Sequence, residues 1–155
     1  MNQTVKVGCD VISVSEVAAS IERFGDRYLG RIFTDNERAD CAGSTHQAQR
    51  FAARWAAKEA AVKVLRPAGD MLPWTSIEVV RHPFGAVDLR FHGHSAKLAR
   101  QRRIAATSLS LSHQPDIAIA VVVAIQLTFE DFEEGRHMDK QQHCAREQHP
   151  RGGFS

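Results

Sequence analysis

The chain has 155 residues, 43% hydrophobic and 25% charged, the balance of a soluble globular protein with one core. No apolar run approaches the ~20 residues of a membrane span, and Met1–Lys6 carries no signal-peptide pattern. The net charge of +2 divides into a basic body, with sixteen Lys/Arg against twelve Asp/Glu over 1–128, and an acidic tail, with four against six over 129–155.

A mildly basic body suits an anionic ligand or an acidic partner, and no nucleic-acid-binding signature accompanies it. Three cysteines, Cys9, Cys41 and Cys144, form no CxxC pair. Their odd number fits a reducing cytoplasm and argues against a disulfide framework and a zinc site.

In chain order, Val5, Val7 and Cys9 alternate with polar residues before Asp10, which predicts a first strand within 4–14. Ser13-Val14-Ser15-Glu16 has the form of a capping box and opens a helix to about Phe24, where Gly25 stops it. Thr34-Asp35-Asn36-Glu37 repeats that form and opens a short helix. From about His46 to Leu65 no Gly or Pro interrupts a long helix, which ends before Pro67-Ala68-Gly69-Asp70. Ile77 and Val79, the turn Pro83-Phe84-Gly85, and Val87, Leu89 and Phe91 predict a hairpin. Ser95–Arg103 reads as a short basic helix, and Thr107–His113 as an alternating strand. The near-continuous apolar run Ile117–Leu127 predicts a buried central strand. The order favours an α+β fold, an antiparallel sheet packed against the long helix, over residues 1–128. Residues 129–155 lack hydrophobic periodicity and are expected to be a polar, disordered tail. Scattered histidines such as His137, His143 and His149 are usually solvated in such a tail.

The long helix carries the most informative stretch, Arg54-Trp55-Ala56-Ala57-Lys58-Glu59-Ala60-Ala61-Val62-Lys63. Plotted at 100° per residue, Phe51, Trp55, Val62 and Leu65 form a stripe with Lys58 in its middle, while Glu59 and Lys63 stand one turn apart beside it. A surface helix keeps charges off its apolar stripe. The ordinary explanation is a snorkelling Lys58 and a surface pair of Glu59 and Lys63. The alternative is a held anion. Asp10 either caps a turn or joins Glu59 as a second hard oxygen ligand for Mg²⁺, with Arg54, Lys58 and Lys63 as cations for phosphate. That set suggests metal-assisted phosphoryl transfer or diphosphate cleavage. His113, at a strand end, either bonds a neighbouring turn or contacts phosphate. Lys97, Arg100, Arg102 and Arg103 form either a solvated face or a contact for an acidic protein.

Gly8-Cys9-Asp10, Arg31-Ile32-Phe33-Thr34 followed by Glu37, Arg54-Trp-Ala-Ala-Lys58-Glu59-Ala60, Ile77-Glu78-Val79 and Ser110-Leu111-Ser112-His113 stand in the order found in small phosphopantetheinyl transferases. Over roughly residues 5–126 the chain resembles the holo-acyl-carrier-protein synthases. The resemblance implies transfer of 4′-phosphopantetheine from coenzyme A to a serine of apo acyl carrier protein, with release of adenosine 3′,5′-bisphosphate. It implies that Asp10 and Glu59 hold Mg²⁺, that Lys63 contacts the diphosphate, and that Arg54 and His113 help hold the nucleotide end. Lys58 and Ser112 are carried over as substrate-binding positions, and the assembly as a homotrimer with active sites between subunits.

The sequence also departs from the family. Arg66–Asp70 replaces a Gly-Thr-Gly-like loop, and Glu16 stands where an arginine commonly meets the carrier protein. Gln114 and Val62 replace small hydroxyl residues. These changes point to a dedicated carrier, from a polyketide or other secondary pathway, more than to fatty-acid synthesis. Two rival functions share the fold: a coenzyme A-binding module without turnover, and a Mg²⁺-dependent nucleotide hydrolase.

Overall fold

The computed structural model describes residues 2–69 and 71–128. The expected disordered tail and its histidines lie outside the described residues, as does Asp70. Among the described residues, strands and α-helices follow in the order β1 (Asn2–Ser13), α1 (Val14–Ile32), α2 (Asp35–Cys41), α3 (Gln47–Leu65), β2 (Ile77–Arg81), β3 (Val87–Phe91), α4 (Gly93–Gln101), β4 (Ile104–His113) and β5 (Ile117–Thr128). The predicted α+β class holds, but the strands form two sheets. One has the order β1-β5-β4 and the other is the β2-β3 hairpin, both antiparallel.

The helix boundaries follow local chemistry. Ser13 caps α1, accepting from the Glu16 amide, and Thr34 and Glu37 close a full capping box on α2. Gly25 does break α1 (φ 52, ψ −134), yet helix resumes beyond it to Ile32, so the expected stop is a kink. A glycine redirects the chain there, and the second segment buries Ile32 against the core.

β5 is the central strand. Its inner residues Ala118, Ala120, Val122 and Ala124 are buried, three of them packed with α3 in one core cluster, while Ile119, Val121, Val123 and Ile125 on the opposite face are half-buried. Along β1 the exposed Val5, Val7 and Val11 continue that outer face. The apolar run therefore reflects two apolar faces, only one of which the described chain itself covers.

α3 is not a surface helix with one stripe. Phe51 to Ala53, Ala56, Ala57, Ala60, Ala61, Val64 and Leu65 are all buried, so its mixed face arises because the helix is enclosed on nearly every side. The alanines let the sheet approach closely. A Cβ built on Gly8 would lie 2.0 Å from the Ala60 carbonyl oxygen, so β1 and α3 meet backbone to backbone beside Asp10 and Glu59.

Candidate active site

α3 and β1 build the first half of the site. Lys63 Nζ donates to Asp10 Oδ1 at 2.7 Å and to the Cys9 carbonyl at 2.6 Å. Asp10 is mostly enclosed (18% exposed), whereas half of the Lys63 side chain faces solvent. Glu59 lies one turn before Lys63. Burial, and then the nearby Asp10 charge, push its carboxyl above the usual glutamate range, with Lys63 opposing. The hydrogen bond to Asp10 raises Lys63. Lys63 pairs directly with Asp10 and also feels the charge of Glu59. Among the described residues no cluster of three His, Cys, Asp or Glu is placed to hold a metal. The donor set is two carboxylates, which matches a cation that keeps several waters and borrows phosphate oxygens, as Mg²⁺ does.

The second half lies at the other edge of the sheet. Asp10 on β1 and Leu111 on β4 both pair with Ala120, and β5 separates them. Beyond β5, a cavity of about 260 Å³ is lined by Asp40, Arg50, Arg54, Arg81, Gly85 and His113, among others. Arg54 is only 5% exposed. It donates to the Arg50 carbonyl (3.1 Å) and is paired with Asp40, while its Nε is buried with no partner. Asp40 also meets Arg81 at 3.7 Å, and its carbonyl accepts from Arg50 at 3.0 Å. Three guanidiniums and an imidazole around one carboxylate make a pocket that favours an anion. Sequence reasoning missed Arg50, whose place one helical turn before Arg54 was a usable signal. Asp40 and Arg81 had no local signal, since the fold alone brings them to the pocket.

One reading of Lys58 is corrected. Lys58 does not snorkel to water, and its ammonium is taken up by the protein itself. Its side chain is 0% exposed, paired with Glu37 at 2.8 Å, and donates to the carbonyls of Trp74 (2.9 Å) and Ile77. Burial lowers its pKa, with Glu37 opposing. Glu37 in turn accepts from the amides of Thr34 (2.9 Å) and Val79 (3.0 Å), so snorkelling is overruled by a fully bonded interior site. Ser112 is exposed and pairs with Ile119, so it stands on the uncovered face of the sheet while Leu111 and His113 line the cavity on the other. His113 does line the anion pocket, at the opposite sheet edge from Asp10 and not beside it. Of the basic α4 cluster, Lys97 and Arg102 line another cavity of about 520 Å³ with Pro67 and His94, and Arg102 donates to the Arg66 carbonyl at 2.8 Å.

The sequence pattern of the ACPS family, described as the 4′-phosphopantetheinyl transferase superfamily, matches residues 6–122. The holo-acyl-carrier-protein synthase of Koribacter versatilis (strain Ellin345) is 41% identical over 117 residues, covering 75% of this chain and 94% of that one. The Helicobacter pylori holo-acyl-carrier-protein synthase, solved in complex with coenzyme A, superposes with a TM-score of 0.67 at 28% identity, covering 77% of this chain and 99% of that one. An ACPS–CoA complex from Chronobacterium ammoniagenes gives 0.70 at 27% identity, covering 81% and 99%.

Proposed function

The chain belongs to the 4′-phosphopantetheinyl transferase superfamily, and from that premise we propose how its residues carry out the reaction. It transfers 4′-phosphopantetheine from coenzyme A to a serine of apo acyl carrier protein, releasing adenosine 3′,5′-bisphosphate. The serine oxygen attacks the phosphorus that bears pantetheine. A new P–O ester bond forms as the serine O–H bond breaks and its proton passes to solvent, the phosphoanhydride bond breaks, and the nucleotide leaves with the bridging oxygen. Such a step depends on positioning and on offsetting charge.

The observation that carries the residue roles is the bridge from Lys63 to Asp10, with Glu59 one turn away. Asp10 and Glu59 are the residues that would hold Mg²⁺, which when bound supplies positive charge to the diphosphate. Lys63, held protonated by Asp10, sets its ammonium where the leaving phosphate gains charge. Arg54, Arg81 and His113 bind the phosphate at the nucleotide end, and Asp40 keeps the guanidiniums in place.

The two halves lie on opposite edges of one sheet, and the apolar outer face of β1 and β5 is left uncovered by the described chain. Both features support a homotrimer in which one subunit's Asp10 edge meets the next subunit's Arg54 pocket. The reaction runs in the cytoplasm, in keeping with the unpaired Cys9 and Cys41. Among the described residues no helix is long and apolar enough to cross a membrane.

The test is to incubate the protein with coenzyme A, Mg²⁺ and a panel of apo carriers and to weigh each carrier. Gain of one phosphopantetheine supports the reading and names the carrier. Coenzyme A binding without mass gain would favour the binding module, and diphosphate cleavage without a carrier the hydrolase.

A further inference from the structure

The cavity of about 520 Å³ beside α4 shares no lining residue with the anion pocket. Its lining is of two kinds. Half-buried Pro67, Leu72 and Leu98 are apolar, and His94, Lys97 and Arg102 are basic. Leu72 and Leu98 also pack against the larger core cluster, so the apolar part is held in place. His94, Lys97, Leu98 and Gln101 follow one another three or four residues apart, which puts them on one face of α4. Among the described residues no carboxylate pairs with Lys97 or Arg102. Such a surface calls for an acidic segment that also carries a large apolar side chain.

The end of the described chain lies beside this cavity. β4 leaves α4 at Arg103, and β5 runs back antiparallel to it. Gln126 Nε2 donates to the Arg102 carbonyl at 2.8 Å, and the Leu127 amide to the Arg103 carbonyl at 2.9 Å. The chain therefore passes Thr128 at the C-terminal end of α4. The residues that follow at once are Phe129-Glu130-Asp131-Phe132-Glu133-Glu134, two aromatic rings among four carboxylates. Six residues reach up to about 20 Å. α4 has nine residues and rises about 13 Å, so this segment is long enough to run the length of the cavity.

We propose that Phe129-Glu130-Asp131-Phe132-Glu133-Glu134 docks on its own chain's α4 cavity, with an aromatic ring against Leu72 and Leu98 and carboxylates against Lys97 and Arg102. The short tether decides the occupant. It presents the segment at millimolar effective concentration, so even a weak intrinsic affinity fills the cavity ahead of a dilute acidic partner.

The test places the photo-crosslinking residue p-benzoylphenylalanine at position 132 of the full chain. After irradiation, a denaturing gel separates crosslinks within one chain from crosslinks between chains, and peptide mass mapping locates them. The expected product has the mass of one chain and is joined within 67–72 or 94–102. Adding Lys97→Glu, at an exposed position, should leave the melting temperature unchanged and lower the crosslinking yield about fivefold. Molar salt should lower the yield in the same direction. No crosslink, or crosslinks to other parts of the chain, would overturn the proposal. A covalent dimer would overturn it as well, since the occupant would then be the tail of a second copy. So would an unchanged yield in Lys97→Glu, because the charge pairing would be absent.

Discussion

Lys58 and Glu37 form an ion pair at 2.8 Å with both side chains wholly enclosed, which ties the middle of α3 to α2. The same ammonium bonds the Trp74 and Ile77 carbonyls, so one lysine fixes the helix against three neighbours. Removing one partner of a buried pair strands the other charge, at a cost of about 3–5 kcal/mol. Lys58→Met should lower the unfolding free energy by that amount in urea titrations, while the folded fraction keeps the parent KM for coenzyme A. A stable variant with a raised KM would return Lys58 to the substrate site.

Glu59 is expected to behave in the opposite way. Glu59→Gln keeps the shape of a half-buried carboxylate and removes its charge. Its circular dichroism and melting should match or exceed the parent's. Its turnover should fall by about 10²–10³, the scale of one lost electrostatic contact at a transition state. Transfer assays at saturating Mg²⁺ check this, and near-parent turnover would exclude Glu59 as a metal ligand.

The close contact of β1 with α3 leaves no room at Gly8. In Gly8→Ala the new methyl would meet the Ala60 carbonyl at 2.0 Å, backbone against backbone, and neither side is a flexible chain end. Overpacking of this kind costs about 1–3 kcal/mol or more. The strand must also move, carrying Asp10 away from Glu59. Both the urea midpoint and the apparent Mg²⁺ affinity should fall together.

Glu78 gives a pH dependence. Burial alone would raise its carboxyl, but hydrogen bonds from Asn36, His92 (2.6 Å) and Thr34 outweigh that and hold it below its ordinary value. The unfolded chain therefore takes up a proton at higher pH than the folded one. This stabilisation is full above the unfolded carboxylate pKa and is lost as pH falls through the folded value. Glu78→Gln should cost about 1.5–3 kcal/mol at neutral pH. Urea titrations of the two proteins should converge in acid, and a constant gap would disprove the linkage.

Val7, 61% exposed on the uncovered sheet face, tests the assembly. Val7→Asp places a charge where the trimer would be driest. Light scattering should show a trimer for the parent and a monomer for the variant. The monomer should retain its secondary structure and lose transfer, because its two half-sites stay on opposite edges of one sheet.

Much of this protein is decided locally. The caps at Ser13 and Thr34, the uninterrupted run that becomes α3 and the hairpin turn at Pro83–Gly85 arise from contacts within a few residues, so neighbouring side chains set them. The same holds for the spacing of Glu59 and Lys63, which one helical turn fixes. Partners far apart in the chain are another matter. Lys58 became an interior anchor because Glu37, Trp74 and Ile77 converge on it. Ser112 stands on the uncovered sheet face because the register of β4 on β5 chose it, and Asp40 and Arg81 joined Arg54 only through packing of α2 and the hairpin. The chemistry available to the chain is thus legible in its order of residues. Which charges are spent in the core and which remain for a ligand is a property of the assembled fold, because burial and pairing exist only once distant elements have packed.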